Sequence, residues 1–363
     1  MRILVSIGHP AHVHLFKNAI RLLEQRGHEV EVMARNKDVT LSLLNNYGLN
    51  YKLFPKYRSR LFWKPIDRLM IYVTLFNIIN EFKPTILIGC GGNDISFVGK
   101  VIRKPSVVFT DTENAKLANK LTFPLATVIC TPSCFLKDLG EKQVRYNGYH
   151  ELAYLHPNYF EPDPSVLDEA GISRRDAFII LRFISWSASH DVGLRGIDKQ
   201  AELDFIKCLE KYGHVFITSE RKLDAKLEKY KITIPPEKVH SLLYYADLYI
   251  GEGGTMAAEA AILGTPSIHI ESTSKGIATG ELSGNFLELR DKYGLLYFYP
   301  DQNQALEKAI SILEDKNSKN EWQKRRERLL KDKIDVTAWM VDFIERYPES
   351  FYEYKEKYDN VSL

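Results

Sequence analysis

Short runs of β-branched and other apolar residues recur along this chain, separated by segments with helical patterning. "RILVSI" (2–7) leads into "HLFKNAIRLLEQRG", where Leu15, Ile20, Leu22 and Leu23 recur near helical spacing and Gly27 ends the pattern. "HEVEVMA" (28–34), "TILIG" (85–89), "SVVFT" (106–110) and "ATVIC" (126–130) are further strand candidates. Strands alternating with helices imply βαβ units and a parallel sheet covered on both faces. The rhythm breaks at "HPNYFEPDP" (156–164), a linker with three prolines. It restarts with "FIILRFI" (178–184), "HVFITS" (214–219), "DLYIG" (247–251), "PSIHI" (266–270) and "LLYFY" (295–299). The fold class expected is therefore α/β, with two doubly wound Rossmann-like domains and a ligand cleft where their loops leave the strand C-termini. The expected domains are 1–160 and 161–335, with a helical, aromatic segment at 336–363 packing back on the first.

A length of 363 residues exceeds one ordinary core, which agrees with two domains. A formal net charge of +2 gives no reason to expect nucleic-acid binding. Cys90, Cys130, Cys134 and Cys208 show no CxxC spacing and read as buried, reduced thiols. "MRILVSIGHP" is too short in its apolar part for a signal peptide, and no run approaches the roughly 18 apolar residues of a membrane span. A cytoplasmic setting is expected.

The richest stretch is "GEGGTMAAEAAILGTPSI" (251–268), a strand end, a glycine loop and a helix starting near Thr255. Free N–H groups at a helix start, with the dipole behind them, suit a phosphate or diphosphate. Gly253 and Gly254 would let backbone approach the anion, and Thr255 would cap the helix. The same glycines also fit a plain tight turn. Glu259 stands among Ala257, Ala258, Ala260 and Ala261; its carboxylate suits two ribose hydroxyls, or it is a solvated helix-face charge.

"ADLYIGEGGTMAAEAAILGTPSIHI" resembles the nucleotide-sugar half of GT-B glycosyltransferases and the related UDP-N-acetylglucosamine 2-epimerases. With "GHPAHVHLF", "DTENAKLANKLTFPLA" and "LRFISWSASHD", the whole chain is similar to a prokaryotic family of predicted glycosyltransferases, a domain of unknown function. The resemblance implies that Gly253, Gly254 and Thr255 hold a donor diphosphate and Glu259 its ribose. It makes 1–160 the acceptor side and 161–335 the nucleotide-sugar side.

In "GHPAHVH" (8–14), His12 is the closest match to a loop histidine of MurG-like transferases, with Pro10 and Ala11 where those have glycines. A neutral His12 can take a proton from an acceptor hydroxyl. His9 or His14 equally suits a helix-cap role, and H-x-x-H-x-H admits a metal reading that no carboxylate or cysteine reinforces. "IGCGGNDISF" (88–97) is a second glycine loop after a strand; the resemblance to MurG-like transferases implies Gly91, Gly92 and Asn93, with His9, on the acceptor side, and the plain alternative is a βα turn. "FTDTENAK" (109–116) puts Asp111 and Glu113 at a strand end as catalytic carboxylates, or Asp111 and Thr112 cap the next helix. Arg182 is a diphosphate candidate, with His190 and Asp191 beside it and Ser219 and Glu220 by position. Residues 56–73 interleave Lys56, Arg58, Arg60, Lys64 and Arg68 with aromatics, which suits either an anionic membrane face or an ordinary loop and core helix.

The function expected is a metal-independent glycosyltransferase that moves a sugar from a nucleotide-diphosphate sugar, with UDP as the nucleotide. Its acceptor would be a glycan or a lipid-linked molecule, and the sugar nucleotide is substrate rather than cofactor. The alternatives are a nucleotide-sugar 2-epimerase, drawing acid and base from Asp111, Glu113 and His190, and a non-catalytic nucleotide-sugar-binding protein.

Overall fold

Every pairing between strands is parallel among the described residues, which are 1–55, 64–186 and 193–361 of the computed structural model. A parallel pair cannot be joined by a hairpin, so each strand must be followed by a crossover. The chain divides into two units, Met1–Tyr159 with Ile334–Leu363, and Phe160–Lys333.

The first unit runs β1 (Arg2–Ile7), α1 (Pro10–Gln25), β2 (Glu29–Ala34), α2 (Thr40–Asn46), β3 (Lys52–Leu53), α3 (Lys64–Phe82) and β4 (Ile86–Cys90). It continues α4 (Asn93–Ile102), β5 (Ser106–Phe109), α5 (Lys116–Thr122), β6 (Val128–Pro132), β7 (Gln143–Tyr146) and α6 (Leu152–Leu155). The sheet order β3-β2-β1-β4-β5-β6-β7 reverses between β1 and β4, the switch point at which such sheets bind ligands.

The second unit runs α7 (Ser165–Glu169), β8 (Phe178–Phe183), α8 (Glu202–Leu209), β9 (His214–Ser219), α9 (Val239–Tyr245), β10 (Leu248–Gly251) and α10 (Gly254–Ile262). β11 (Ser267–Ile270), α11 (Gly284–Asp291), β12 (Leu296–Tyr299), α12 (Gln302–Glu314) and α13 (Ser318–Asp332) complete it. Its order β12-β11-β10-β8-β9 reverses between β8 and β10. The chain then returns to the first unit as α14 (Val336–Glu345) and α15 (Glu349–Val361).

Successive strand side chains point to opposite faces, yet Ile3 and Leu4 are both fully buried, so both faces of the first sheet are covered. One face closes with α3 and α4 through Leu4, Ile71, Leu75, Leu87, Ile95 and Val98. Behind α1, Asn18 Nδ2 and Thr337 Oγ1 donate to the Ala153 carbonyl at 2.9 and 2.7 Å, tying α14 and α6 to α1. Trp339 of α14 packs on Tyr146 at 4.8 Å between ring centroids and edge-on to Phe109.

α3 is apolar on more than its core side. Ile66, Leu69, Met70 and Val73 share one stripe by their spacing and are exposed. Residues 56–63 of the basic aromatic stretch lie outside the described residues. No helix among the described residues is long and apolar enough to cross a membrane.

In the second unit α13 fixes the far end of α10. Gln323 Nε2 donates to the Leu263 and Gly264 carbonyls, and Arg326 Nε to that of Ile262, satisfying acceptors that a helix end leaves open. Trp339→Ala should cost about 3–5 kcal/mol, the range for emptying a buried tryptophan site. Urea denaturation of wild type and variant measures it, and a loss below about 1 kcal/mol would show that α14 is not part of the first core.

Candidate functional site

In a parallel sheet every strand points the same way, so the loops after β1, β4, β5 and β7 share one edge. There the first unit gathers His12, Cys90, Asp111, Tyr146, His150 and Glu151. His150 Nδ1 lies 3.2 Å from Asp111 Oδ2, while Thr112 Oγ1 donates to Asp111 Oδ1 at 3.0 Å. With a carboxylate facing Nδ1, the imidazole proton sits there and Nε2 keeps its lone pair. His150 is 7% exposed, and Nε2 has no hydrogen-bond partner among the described residues. Burial pushes His150 below the ordinary histidine value, with Asp111 opposing, so the ring is a neutral, oriented base.

Tyr146, at the end of β7, lies parallel to His150 at 6.4 Å, and its hydroxyl is also buried without a hydrogen-bond partner. Burial, then the Asp111 charge, raises both the Tyr146 hydroxyl and the Cys90 thiol well above their ordinary values, so both remain protonated. Trp339 backs Tyr146 and so supports His150 from behind.

His12 has another part. Its Nδ1 accepts from the Gly8 N–H at 3.2 Å, so the neutral ring carries its proton on Nε2 and presents a donor, not a base. Burial first, then His9, His150 and Lys37, push it down to about 3. His9 caps α1, accepting from the Ala11 N–H at 3.2 Å, and His14 is buried against Tyr154 and Tyr47. The three histidines at the start of α1 thus serve three separate partners.

Glu113 is 4% exposed, and its Oε1 accepts from the Leu136 N–H at 3.2 Å, fastening the loop after β6. The cap position of α5 is Ala115, so neither Asp111 nor Thr112 caps it. Gly91 and Gly92 turn β4 into α4, and the side chain of Asn93 lies outside the described residues.

The second unit gathers its polar groups at the β8/β10 switch point. A methyl at Gly251 would sit 2.5 Å from the Arg182 carbonyl oxygen and one at Gly253 2.8 Å from Ile184 Cγ2, so neighbouring chain alone demands both glycines. Gly253 is the cap residue of α10, with φ of 82° and no side-chain cap bond. Thr255 therefore does not cap the helix; it is exposed in the first turn. Gly253 offers the opening N–H groups of α10 no side-chain acceptor, and no acidic residue occupies the turn.

Glu252 faces inward at 2% exposure and accepts from the Ile184 and Ile197 N–H groups, both at 2.9 Å, joining the segments on either side of residues 187–192. Burial raises it to about 7, the two N–H donors opposing. Glu259 is 5% exposed rather than solvated, with His240 Nε2 of α9 3.0 Å from Oε1. Arg182 pairs with Glu220. Ser219 closes a local turn, accepting from the Arg221 N–H and donating to the Arg221 carbonyl. His190 and Asp191 lie outside the described residues.

His269, at the end of β11 beside Gly251, was not singled out by its sequence context. It is 2% exposed, packs edge-on to Phe286 at 5.1 Å, and neither ring nitrogen has a hydrogen-bond partner among the described residues. An unpaired buried polar group of this kind costs about 1–3 kcal/mol. Burial pushes it down to about 3. His150 and His240 were missed as well; each lies in a helix-forming or loop segment whose pattern gives no strand end to attach it to.

A family model described as "Protein of unknown function (DUF354)" matches residues 1–344. The chain belongs to this family. An uncharacterized protein of Methanocaldococcus jannaschii is 28% identical to this DUF354 chain over 278 residues, 73% of it and 80% of the relative. Among solved structures, the UDP-GlcNAc 2-epimerase of Neisseria meningitidis bound to UDP-GlcNAc matches with a TM-score of 0.65 at 12% identity, covering 95% of this chain and 100% of that one. Spinosyn rhamnosyltransferase SpnG matches at 0.60 and 15% identity, covering 95% and 99%. The DUF354 fold is thus GT-B-like, shared with glycosyltransferases and 2-epimerases.

Glu252→Gln offers one acceptor to two N–H donors and should destabilise by about 1–3 kcal/mol. Because Glu252 is raised when folded, the unfolded chain loses its proton first. The stability from neutral Glu252 is present below its ordinary value of 4.5 and lost as pH rises through about 7. The wild-type advantage over the variant should shrink across that window in urea midpoints, and parallel pH curves would refute the assignment.

Proposed function

We propose that this DUF354 chain is a glycosyltransferase that moves a sugar from a nucleotide-diphosphate sugar, with UDP as nucleotide, to an acceptor hydroxyl. The observation that carries the reading is the Asp111–His150 pair, a neutral imidazole held by a carboxylate on one nitrogen and unpartnered on the other. His150 Nε2 takes the hydroxyl proton, the oxygen attacks the anomeric carbon, and the sugar–diphosphate bond breaks. Asp111 stabilises the imidazolium that forms, and His12 Nε2–H donates a hydrogen bond to the bound sugars. The uncapped start of α10 meets the departing diphosphate charge, the task a metal ion performs elsewhere. The sugar nucleotide enters this reaction as substrate, and the proposed step calls for no cofactor.

The UDP assignment is supported by the Neisseria meningitidis epimerase, which is described with UDP-GlcNAc bound. Transfer is preferred over epimerisation because Glu113, one of the groups an epimerase would need, is committed to the Leu136 N–H.

UDP release from UDP-GlcNAc, with and without a membrane-lipid extract as acceptor source, tests the reading. Release stimulated by the extract is expected. His150→Gln should lower it at least about 100-fold with UDP affinity unchanged, the usual scale for removing a general base. Formation of the 2-epimer without acceptor would replace the transferase reading by the epimerase one.

The exposed stripe Ile66, Leu69, Met70 and Val73 supports a lipid-linked acceptor met at a membrane face. Co-sedimentation with phosphatidylglycerol vesicles should fall at least about threefold in the Leu69→Ser, Met70→Ser double variant, since burial of apolar area sets such binding. Equal binding would remove this support.

A further inference from the structure

We propose that His269 is a direct contact of the nucleoside diphosphate at the start of α10 and takes up a proton from solvent when that diphosphate binds. The proposal rests on the donor reading above and deepens it. Ser267 Oγ donates to the Ala257 carbonyl at 2.7 Å, so this face of β11 looks onto α10. His269 is the next residue on the same face, one step nearer the strand C-terminus and so nearer the helix start. Phe286 packs against the His269 ring and comes within 3.3 Å of the place a Gly254 β-carbon would take, which puts the ring in the corner beneath Gly254.

Two independent observations therefore meet at one point. Gly253 gives the opening N–H groups of α10 no side-chain cap, and below them His269 is 2% exposed with both ring nitrogens unpartnered among the described residues. A residue there for packing alone needs no nitrogens, and a buried histidine is normally hydrogen-bonded. The charged groups around it are few. Glu271, just past the end of β11, comes to 3.8 Å of Nε2, outside hydrogen-bond range. Glu252, after β10, turns its carboxylate to Ile184 and Ile197, and Glu288 of α11 pairs with Lys333. With no anion, burial leaves the ring neutral. A dianion brought against it by α10 reverses that balance, since an opposite charge at contact favours the charged form. The imidazolium then donates to a phosphate oxygen that the backbone N–H groups do not reach.

Titration calorimetry of the full chain with UDP at pH 7.5, in buffers of different ionisation enthalpy, reads affinity and proton uptake together. Wild type should take up at least about half a proton more per UDP than His269→Phe, which keeps the aromatic packing on Phe286. The variant should bind UDP and inorganic pyrophosphate at least about tenfold more weakly, the scale of one charge-assisted hydrogen bond, while binding uridine as wild type does. Equal affinity and equal uptake in the variant would overturn the proposal and leave His269 with a buried water only. Weaker binding of uridine too would mean a structural role, again overturning it. Failure of wild type to bind UDP would sink the donor reading and this inference with it, whereas UDP binding without a His269 effect sinks the inference alone. His269→Gln serves as the second variant should His269→Phe not fold.

Discussion

The constraint behind this structure is that all twelve strands among the described residues pair in parallel. Parallel neighbours require a crossover over one face or the other, so both faces of each sheet are covered and polar chemistry has nowhere to go but the strand ends. Direction does the rest, because one edge of each sheet collects all the loops that follow a strand. His12, Asp111 and His150 meet there although they leave β1, β5 and β7, and Glu252, the start of α10 and His269 meet at the corresponding edge of the second sheet. The breaks in strand order open room at those edges.

The two edges are tuned in opposite ways. In the first unit a carboxylate orients a buried imidazole, so that one nitrogen is committed and the other is left as a base. In the second unit Glu252 is committed to two backbone N–H donors and Glu259 pairs with His240, while the first turn of α10 holds no acidic residue. An open imidazole nitrogen at one edge and an uncapped helix start at the other follow from where the same residue types find their partners. Burial supplies the low dielectric that makes both effects strong.

The alternation of strands and helices was legible because buried parallel strands are written as short apolar runs, and ten of them stand out as such. β3 and β7 were not legible. Lys52–Leu53 is two residues long, and "QVRY" buries Val144 and Tyr146 between polar neighbours, as a sheet edge allows. Missing β7 hid His150, since a histidine in "NGYHEL" means nothing until a strand end is put before it. Asp111 was legible because "SVVF" points straight at it, but its partner was not, being brought in by topology. The glycine loop after β10 was found correctly, yet Gly251 and Gly253 answer to Arg182 and Ile184, and the cap position belongs to Gly253 rather than Thr255. Sequence spacing shows where glycines are and not which neighbour requires them.

One consequence concerns the order in which the protein is made. The first unit takes its last two helices from beyond the second, and Trp339, Val336 and Thr337 seal the backs of Tyr146, Gly148 and Ala153. Those residues reach the ribosome exit only after Phe160–Lys333 has been synthesised. The unit whose translation starts first is thus the last to close its core, and until α14 arrives its newborn sheet carries an open apolar face that chaperones are placed to recognise.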